Sequence, residues 1–168
     1  PMIVICGQTI SPMLGKDAFQ EADVFGISLP VVKHSYLVRD AEELTRTVNE
    51  AFYIATTGRP GPVLIDVPKD ISSTEGVYDL DAKPDLPGYS VPEMGDLSQI
   101  KKIARAFKRA RQPIILAGHG VVLSKAEKEL TEFAEKFNIP VVNTLLGKGS
   151  ISERHELSLG MLGMRGTA

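Results

Sequence analysis

The chain has 168 residues, a formal net charge of -2 and a hydrophobic share of 43%. Those values exclude a disordered chain, no apolar run is long enough to span a membrane, and no basic or aromatic-plus-basic stripe recommends nucleic acid. Cys6 is the single cysteine, so there is no internal disulfide; its apolar setting marks an inert core residue and fits a reducing, cytoplasmic compartment.

In chain order, the apolar run Met2–Cys6 predicts a buried strand ending at Gly7-Gln8. Thr9 to Lys16 reads as a loop, and Asp17 as the cap of a short helix through Ala18-Phe19-Gln20-Glu21. Val31–Val38 has strand composition, with Lys33, His34 and Ser35 keeping it partly exposed. His34 is a polar edge residue, with no second ligand spaced to share a metal. Asp40 followed by Glu43 is a capping-box pattern that opens a helix with Leu44, Val48, Ala51, Phe52 and Ala55 on one apolar stripe.

The stretch Gly58–Asp70 organises the first half. Gly58 suits a left-handed helix cap, while Pro60 and Pro62 forbid the helix from continuing. Val63-Leu64-Ile65 is an unbroken apolar run, the signature of a strand covered on both faces. Pro68 cannot donate to a sheet ladder, so pairing ends there. Lys69 then emerges at the carboxyl end of a buried parallel strand, the edge where open α/β sheets meet ligands, or else it is an ordinary solvated lysine.

Residues 72–95, rich in proline, glycine and scattered acids, read as a linker over the surface. A second unit restarts at 96, where Asp96 with Gln99 opens a helix carrying Ile100, Ile103, Ala104 and Phe107 on one face. Its basic flank, Lys101 to Arg111, is a solvated side that suits the helix dipole. Pro113–Ala117 is a buried strand, Gly118-His119-Gly120 the tight turn after it, and Ser124 with Glu127 a second capping box for a helix closed by Asn138. Val141–Leu146 is the next strand, followed by Gly147-Lys148-Gly149. This order is a βαβ unit of nucleotide-binding type. The Gly-x-Gly is only part of a dinucleotide fingerprint, since Leu123 stands where a third glycine is needed. These residues leave open whether a ligand backbone approaches the turn or the turn is merely tight.

Gly15–Glu21, Lys33–Val38, Gly58–Asp70, Asn143–Gly149 and Leu157–Thr167 together resemble the large catalytic subunit of acetolactate synthase, a thiamine-diphosphate enzyme. The resemblance covers nearly the whole chain in order, apart from the linker. The Gly-Arg-Pro-Gly-Pro to Pro-Lys-Asp run belongs to the superfamily; Ala-Phe-Gln-Glu and the Leu-Gly-Met-x-Gly-Thr pattern narrow it. It implies an α/β fold of two partial three-layer α/β/α units with parallel sheets. Residues 1–71 are then the later part of a pyrimidine-binding domain, and 96–168 the start of a central FAD-binding Rossmann-like domain. It further implies condensation of two pyruvates, or pyruvate and 2-ketobutyrate, with CO2 release in branched-chain amino-acid biosynthesis. The cofactors so implied are thiamine diphosphate, Mg2+ and FAD.

By that resemblance Lys69, Phe19 and Gln20 sit at the active site: a positive charge near the ketoacid channel, an aromatic rim and an amide donor to substrate. Phe19 on its own is as well explained as a core contact. Arg59, Gly118, His119, Gly120, Thr144, Leu145, Gly163, Met164 and Arg165 fall on flavin-contact positions, and no residue of this chain falls on a metal ligand. Arg165 stands where the family commonly has histidine and Ile10 where it commonly has proline, so fine flavin contacts and inhibitor sensitivity are open. The family's catalytic glutamate and metal–diphosphate motif do not occur in this sequence. Both ends are therefore expected to be cuts in a longer polypeptide, and the piece alone to be inactive and to bind no cofactor tightly. The partners implied are 2-ketoacids, a homodimer or homotetramer of the intact subunit, and a separate regulatory small subunit. The alternatives are another thiamine-diphosphate enzyme, of glyoxylate carboligase or pyruvate oxidase type, or a non-enzymatic nucleotide-binding module.

Overall fold

The computed structural model describes residues 1–79, 81–92 and 94–166. The chain divides into two compact units, 1–93 and 94–168, each built on a three-stranded parallel sheet.

In the first unit the strands β1 (Met2–Gln8), β2 (His34–Leu37) and β3 (Pro62–Pro68) lie in the order β1-β3-β2. The unbroken apolar run makes β3 the central strand, with Val63 and Ile65 fully buried and Leu64 at 6% exposure on the opposite pleat. Val63 and Ile65 pack on Ala51, Ile54 and Ala55 of helix α2 (Leu44–Thr56), and together with Val38 they form the core. The short helix α1 (Val24–Ser28) also packs on the sheet, and its Ser28 hydroxyl is hydrogen-bonded to that of Ser35 on β2 at 2.8 Å. β1 is an edge strand: Met2 and Ile5 are exposed and Cys6 is only half-buried, which corrects the expectation of a buried strand.

Two local expectations in this unit fail for identifiable reasons. No helix forms over 18–21; Asp17 adopts a left-handed conformation (φ 56°), and Asp23 caps the real helix by accepting from the Gly26 N–H at 2.8 Å. The Asp40–Glu43 capping box does not close either. Asp40 accepts from Glu42 N–H at the head of a 3-10 turn (Ala41–Glu43), and Glu43 pairs with Arg46 instead. Phe52, placed on the apolar stripe, is 56% exposed, whereas Thr47 and Glu50 are buried beside Ala51. Glu50 is satisfied by the Tyr36 hydroxyl at 3.0 Å and the Asp85 N–H at 2.9 Å, as a buried carboxylate requires.

The stretch read as a linker is held to the first unit. Leu86 and Tyr89 pack against its core. Asn49 donates to Ala82 O at 2.8 Å. Lys33 Nζ donates to the carbonyls of Ile54 and Thr57 and to the Tyr89 hydroxyl, tying the segment to the end of α2.

In the second unit, β4 (Ile115–Ala117), β5 (Val141–Asn143) and β6 (Ser158–Met161) lie in that order. Helix α6 (Glu127–Phe137) covers one face through Ala134, which shares a core with Ala117, Val141 and Ile151. Helix α4 (Leu97–Arg109) is capped as expected, Asp96 accepting from Ser98 and Gln99 N–H, and its Phe107 ring meets Phe133 edge-on at 5.5 Å. No residue of α4 is buried. The Ser124–Glu127 box does not form: Ser124 Oγ donates back to Gly120 O at 2.7 Å, which ends the short helix α5 (His119–Leu123). β5 stops at Asn143, because Thr144 turns its hydroxyl to accept from Gly147 N–H and starts a 3-10 turn, Leu145–Gly147.

Candidate functional site

Parallel strands bring all their carboxyl ends to one edge of a sheet, and in each unit the expected site residues are sorted by that edge. In the first unit the loop after β1 and the residue after β3 meet there. Gly7, Gln8, Thr9, Ile10, Met13, Ala18, Phe19, Gln20 and Lys69 line one cleft of about 540 Å³. The structure thus brings Phe19, Gln20 and Lys69 together. Lys69 is exposed at the first turn of helix α3 (Lys69–Ser73), which the sequence reading did not foresee. Phe19 is 89% exposed, so it is no core contact but an apolar wall presented to whatever enters.

Gln8, which sequence reasoning left as a strand end, is the hinge of the cleft floor. Its Nε2 donates to Ala22 O at 2.6 Å and to Asp66 Oδ2 at 3.0 Å, while its Oε1 accepts from Thr9 N–H at 2.9 Å. Asp66 lies 1% exposed on β3. Burial pushes its carboxyl above the usual range; the bond from Gln8 opposes this and the nearby Asp23 charge adds to it. The signal that could have found the pair is a lone acid inside the apolar run 63–67, since a buried carboxylate demands a donor. Asp70 holds the other end of the same loop, accepting from the Ser11 N–H at 2.9 Å and hydroxyl at 3.1 Å. Those bonds, the backbone one first, hold its carboxyl below the usual range. A second, more apolar cleft of about 550 Å³, lined among others by Ile5, Val48, Ile65 and Val67, also includes Lys69.

Arg59 does not join this cleft. It is exposed in the turn before β3, whereas Lys69 follows β3, so the strand's roughly 20 Å length separates them.

In the second unit the remaining expected residues gather at one sheet edge. Gly118 and His119-Gly120 follow β4, Thr144 and Leu145 follow β5, and Gly163-Met164-Arg165 follow β6. His119 Nδ1 is hydrogen-bonded to Leu146 O at 2.9 Å, and Thr144 N–H donates to Ala117 O at 2.9 Å, so the first two groups are tied directly. Gly147 has to be glycine: a Cβ there would overlap Ala117 O and lie 3.0 Å from Gly118 Cα. Gly163 uses its freedom differently, with φ 104° in the turn after β6. Arg165 lines a cleft of about 440 Å³ with Lys148, Glu153, Ser158 and Met161, across which Lys148 and Glu153 pair at 2.7 Å. Thr167, the last residue of the terminal motif, lies outside the described residues. Among the described residues no group of three or more histidine, cysteine, aspartate or glutamate side chains could hold a metal ion. Nor, among the described residues, is any helix long and apolar enough to cross a membrane.

The fold is two small parallel α/β sheets with the expected site residues, Arg59 excepted, at their carboxyl edges. Residues 100–168 match the family described as "Thiamine pyrophosphate enzyme, central domain". The chain is similar in fold to the crystal structure of a candidate thiamin diphosphate-dependent enzyme from Mycobacterium smegmatis. That likeness has a TM-score of 0.75 and 28% identity, and covers 98% of this chain and 31% of that one. The chain is thus similar to thiamine pyrophosphate enzymes, and among them to acetolactate synthases. It is 48% identical over 177 residues to acetolactate synthase of Arthrospira platensis, covering 100% of this chain and 30% of that protein. It is 45% identical over 167 residues to the acetolactate synthase large subunit of Corynebacterium glutamicum, covering 99% and 27% respectively. The chain therefore spans less than a third of the length of the relatives it matches.

Proposed function

We propose that the chain acts as a segment of an acetolactate synthase large subunit, which joins two pyruvates, or pyruvate and 2-ketobutyrate, with release of CO2. Residues 1–71 serve as the later part of the domain that meets the cofactor's pyrimidine, and 96–168 as the start of the central domain. The observation that supports this most is the convergence of Lys69, Phe19 and Gln20 on one cleft at the carboxyl edge of the first sheet. All three lie inside the stretch that aligns with acetolactate synthases.

Thiamine diphosphate, when bound, supplies the electron sink that lets a 2-ketoacid lose CO2. The chain's own residues do the rest of what can be assigned here. Lys69 offers an ammonium to a substrate carboxylate; at ~4 Å this is worth about 1 kcal/mol in water and about 4 kcal/mol at a partly screened site. Gln20 has an amide that can donate to a substrate oxygen, and Phe19 covers the cleft against water. Among the described residues no group of three or more histidine, cysteine, aspartate or glutamate side chains could hold a metal ion, and no step of this chain is assigned to Mg2+. FAD does fit the second sheet edge. A Cβ at Gly120 or Gly163 would meet open space, so a ligand can approach the backbone there, and buried Asn143 next to Thr144 has both amide atoms unbonded. Gly118, His119, Gly120, Thr144, Leu145, Gly163, Met164 and Arg165 would hold it. A cytoplasmic subunit that forms a homodimer or homotetramer and answers to a regulatory small subunit completes the reading.

The test is acetolactate formation from pyruvate by the full-length protein with thiamine diphosphate, Mg2+ and FAD, followed colorimetrically after acid decarboxylation to acetoin. Acetolactate is the expected product. Acetaldehyde alone, or no consumption of pyruvate, would overturn the reading.

A further inference from the structure

Gln20 presents its side chain from a conformation that L residues rarely adopt. Its φ is 62°, that of Asp17 in the same loop is 56°, and Gly15 is also left-handed at 78°. Such a backbone persists only where its surroundings over-determine it. The two ends of the loop are fixed from below, Ser11 by Asp70 and Ala22 by Gln8. The middle is closed by Glu21. One carboxylate oxygen accepts from Gly15 N–H at 2.5 Å and the other from Ala18 N–H at 2.8 Å, while the Glu21 N–H donates to Ala18 O at 3.0 Å. A single side chain thus bridges both sides of the turn that carries Phe19 and Gln20. The same two backbone donors, Ala18 first, hold its carboxyl below the usual range, so it is a full acceptor at neutral pH.

We propose that Glu21 is a positioning residue of the cleft: its carboxylate, shared between the backbone N–H groups of Gly15 and Ala18, fixes the turn that aims Phe19 and Gln20 beside Lys69. It touches neither substrate nor cofactor, and it sets ketoacid affinity through its two neighbours. Glutamate is required because both N–H groups need an ionised oxygen at that reach. Glutamine offers one acceptor oxygen and a repelling NH2, and aspartate is one methylene short. The inference rests on the reading of the cleft as the 2-ketoacid site.

The experiment is a double-mutant cycle in the full-length enzyme with saturating cofactors: Glu21→Ala, Gln20→Ala and both, with Glu21→Gln alongside. Glu21→Ala is expected to raise the pyruvate KM about tenfold with kcat held within about threefold, the loss of charge-assisted contacts that orient a binding group. Glu21→Gln falls between it and the parent. Adding Glu21→Ala to Gln20→Ala changes KM by well under tenfold, because the part of its effect that runs through Gln20 is already lost and only the part through Phe19 remains. A parental KM in Glu21→Ala while Gln20→Ala is impaired, or fully multiplicative effects, would overturn the proposal and leave the cleft assignment standing. A parental KM in Gln20→Ala would overturn the cleft assignment and this proposal with it. Should Glu21→Ala not fold, Glu21→Gln against Gln20→Ala carries the same comparison.

Discussion

Removing the ammonium of Lys33 tests how the first unit is closed. Its Nζ donates to three oxygens: the Ile54 and Thr57 carbonyls at the end of α2, and the Tyr89 hydroxyl, whose ring also lies 5.3 Å from the nitrogen. Lys33→Met keeps the stem, which packs against Gly61, and deletes only the charge. Each lost bond to a part-buried group contributes about 0.5–1.5 kcal/mol net, and a cation at a helix C-terminus adds about 0.3–1 kcal/mol. Water will re-solvate part of the site, so about 2 kcal/mol is the expected loss. For a unit of this size that is a melting shift of roughly 8–16 °C. The chain has no tryptophan, and all four tyrosines, at 36, 53, 78 and 89, fall in the first unit. Tyrosine fluorescence during heating therefore reports that unit alone. The Tyr89 phenol, held below its usual range chiefly by the bond from Lys33, should return toward it in an ultraviolet titration. A shift under about 2 °C, less than half the smallest estimate for 1 kcal/mol, with an unmoved Tyr89 titration, would refute the account of Lys33 as the clasp.

Two further predictions concern the sheets. Because burial raises the Asp66 carboxyl, its favourable contribution is complete below the unfolded value and is lost as pH rises through the folded one. Asp66→Asn should match the parent in acid urea unfolding and become the more stable of the two as pH rises to 7; a flat or opposite difference would sink this. Gly147→Ala should cost the second unit about 1–3 kcal/mol by overpacking against Ala117 O, whereas Gly120→Ala, with open space above it, should cost less than about 0.5 kcal/mol. Equal urea midpoints for the two variants would contradict the close approach of the two turns.

The parts legible in the sequence were those set by local pattern. An apolar run with no alternation made β3 central, Pro68 ended it, Asp96 capped α4, and Asn138 closed α6 with φ 50°. The cleft was legible only through the match of Phe19, Gln20 and Lys69 to a family motif, since the residues are about fifty apart in the chain. What escaped was decided by competition between equivalent local choices, or by distant partners. Asp23 rather than Asp17 caps α1, and Ser124 bonds backward to Gly120 instead of forward to Glu127. Residues 72–95 read as a linker because Tyr89, Ala82 and Asp85 find Lys33, Asn49 and Glu50 from more than thirty residues away. Periodicity identifies an apolar stripe but not what covers it, hence the exposure of Phe52 and Ile5.

The central claim, that the carboxyl edge of β3 meets a 2-ketoacid carboxylate through Lys69, is tested most directly by pyruvate kinetics of Lys69→Ala and Lys69→Arg in the full-length enzyme. An exposed ammonium lies between the solvated and partly screened limits, so the alanine variant should raise KM about 5- to 50-fold. The arginine variant, which keeps the charge, should recover much of that loss. An alanine variant with the parent's KM and kcat would contradict the account.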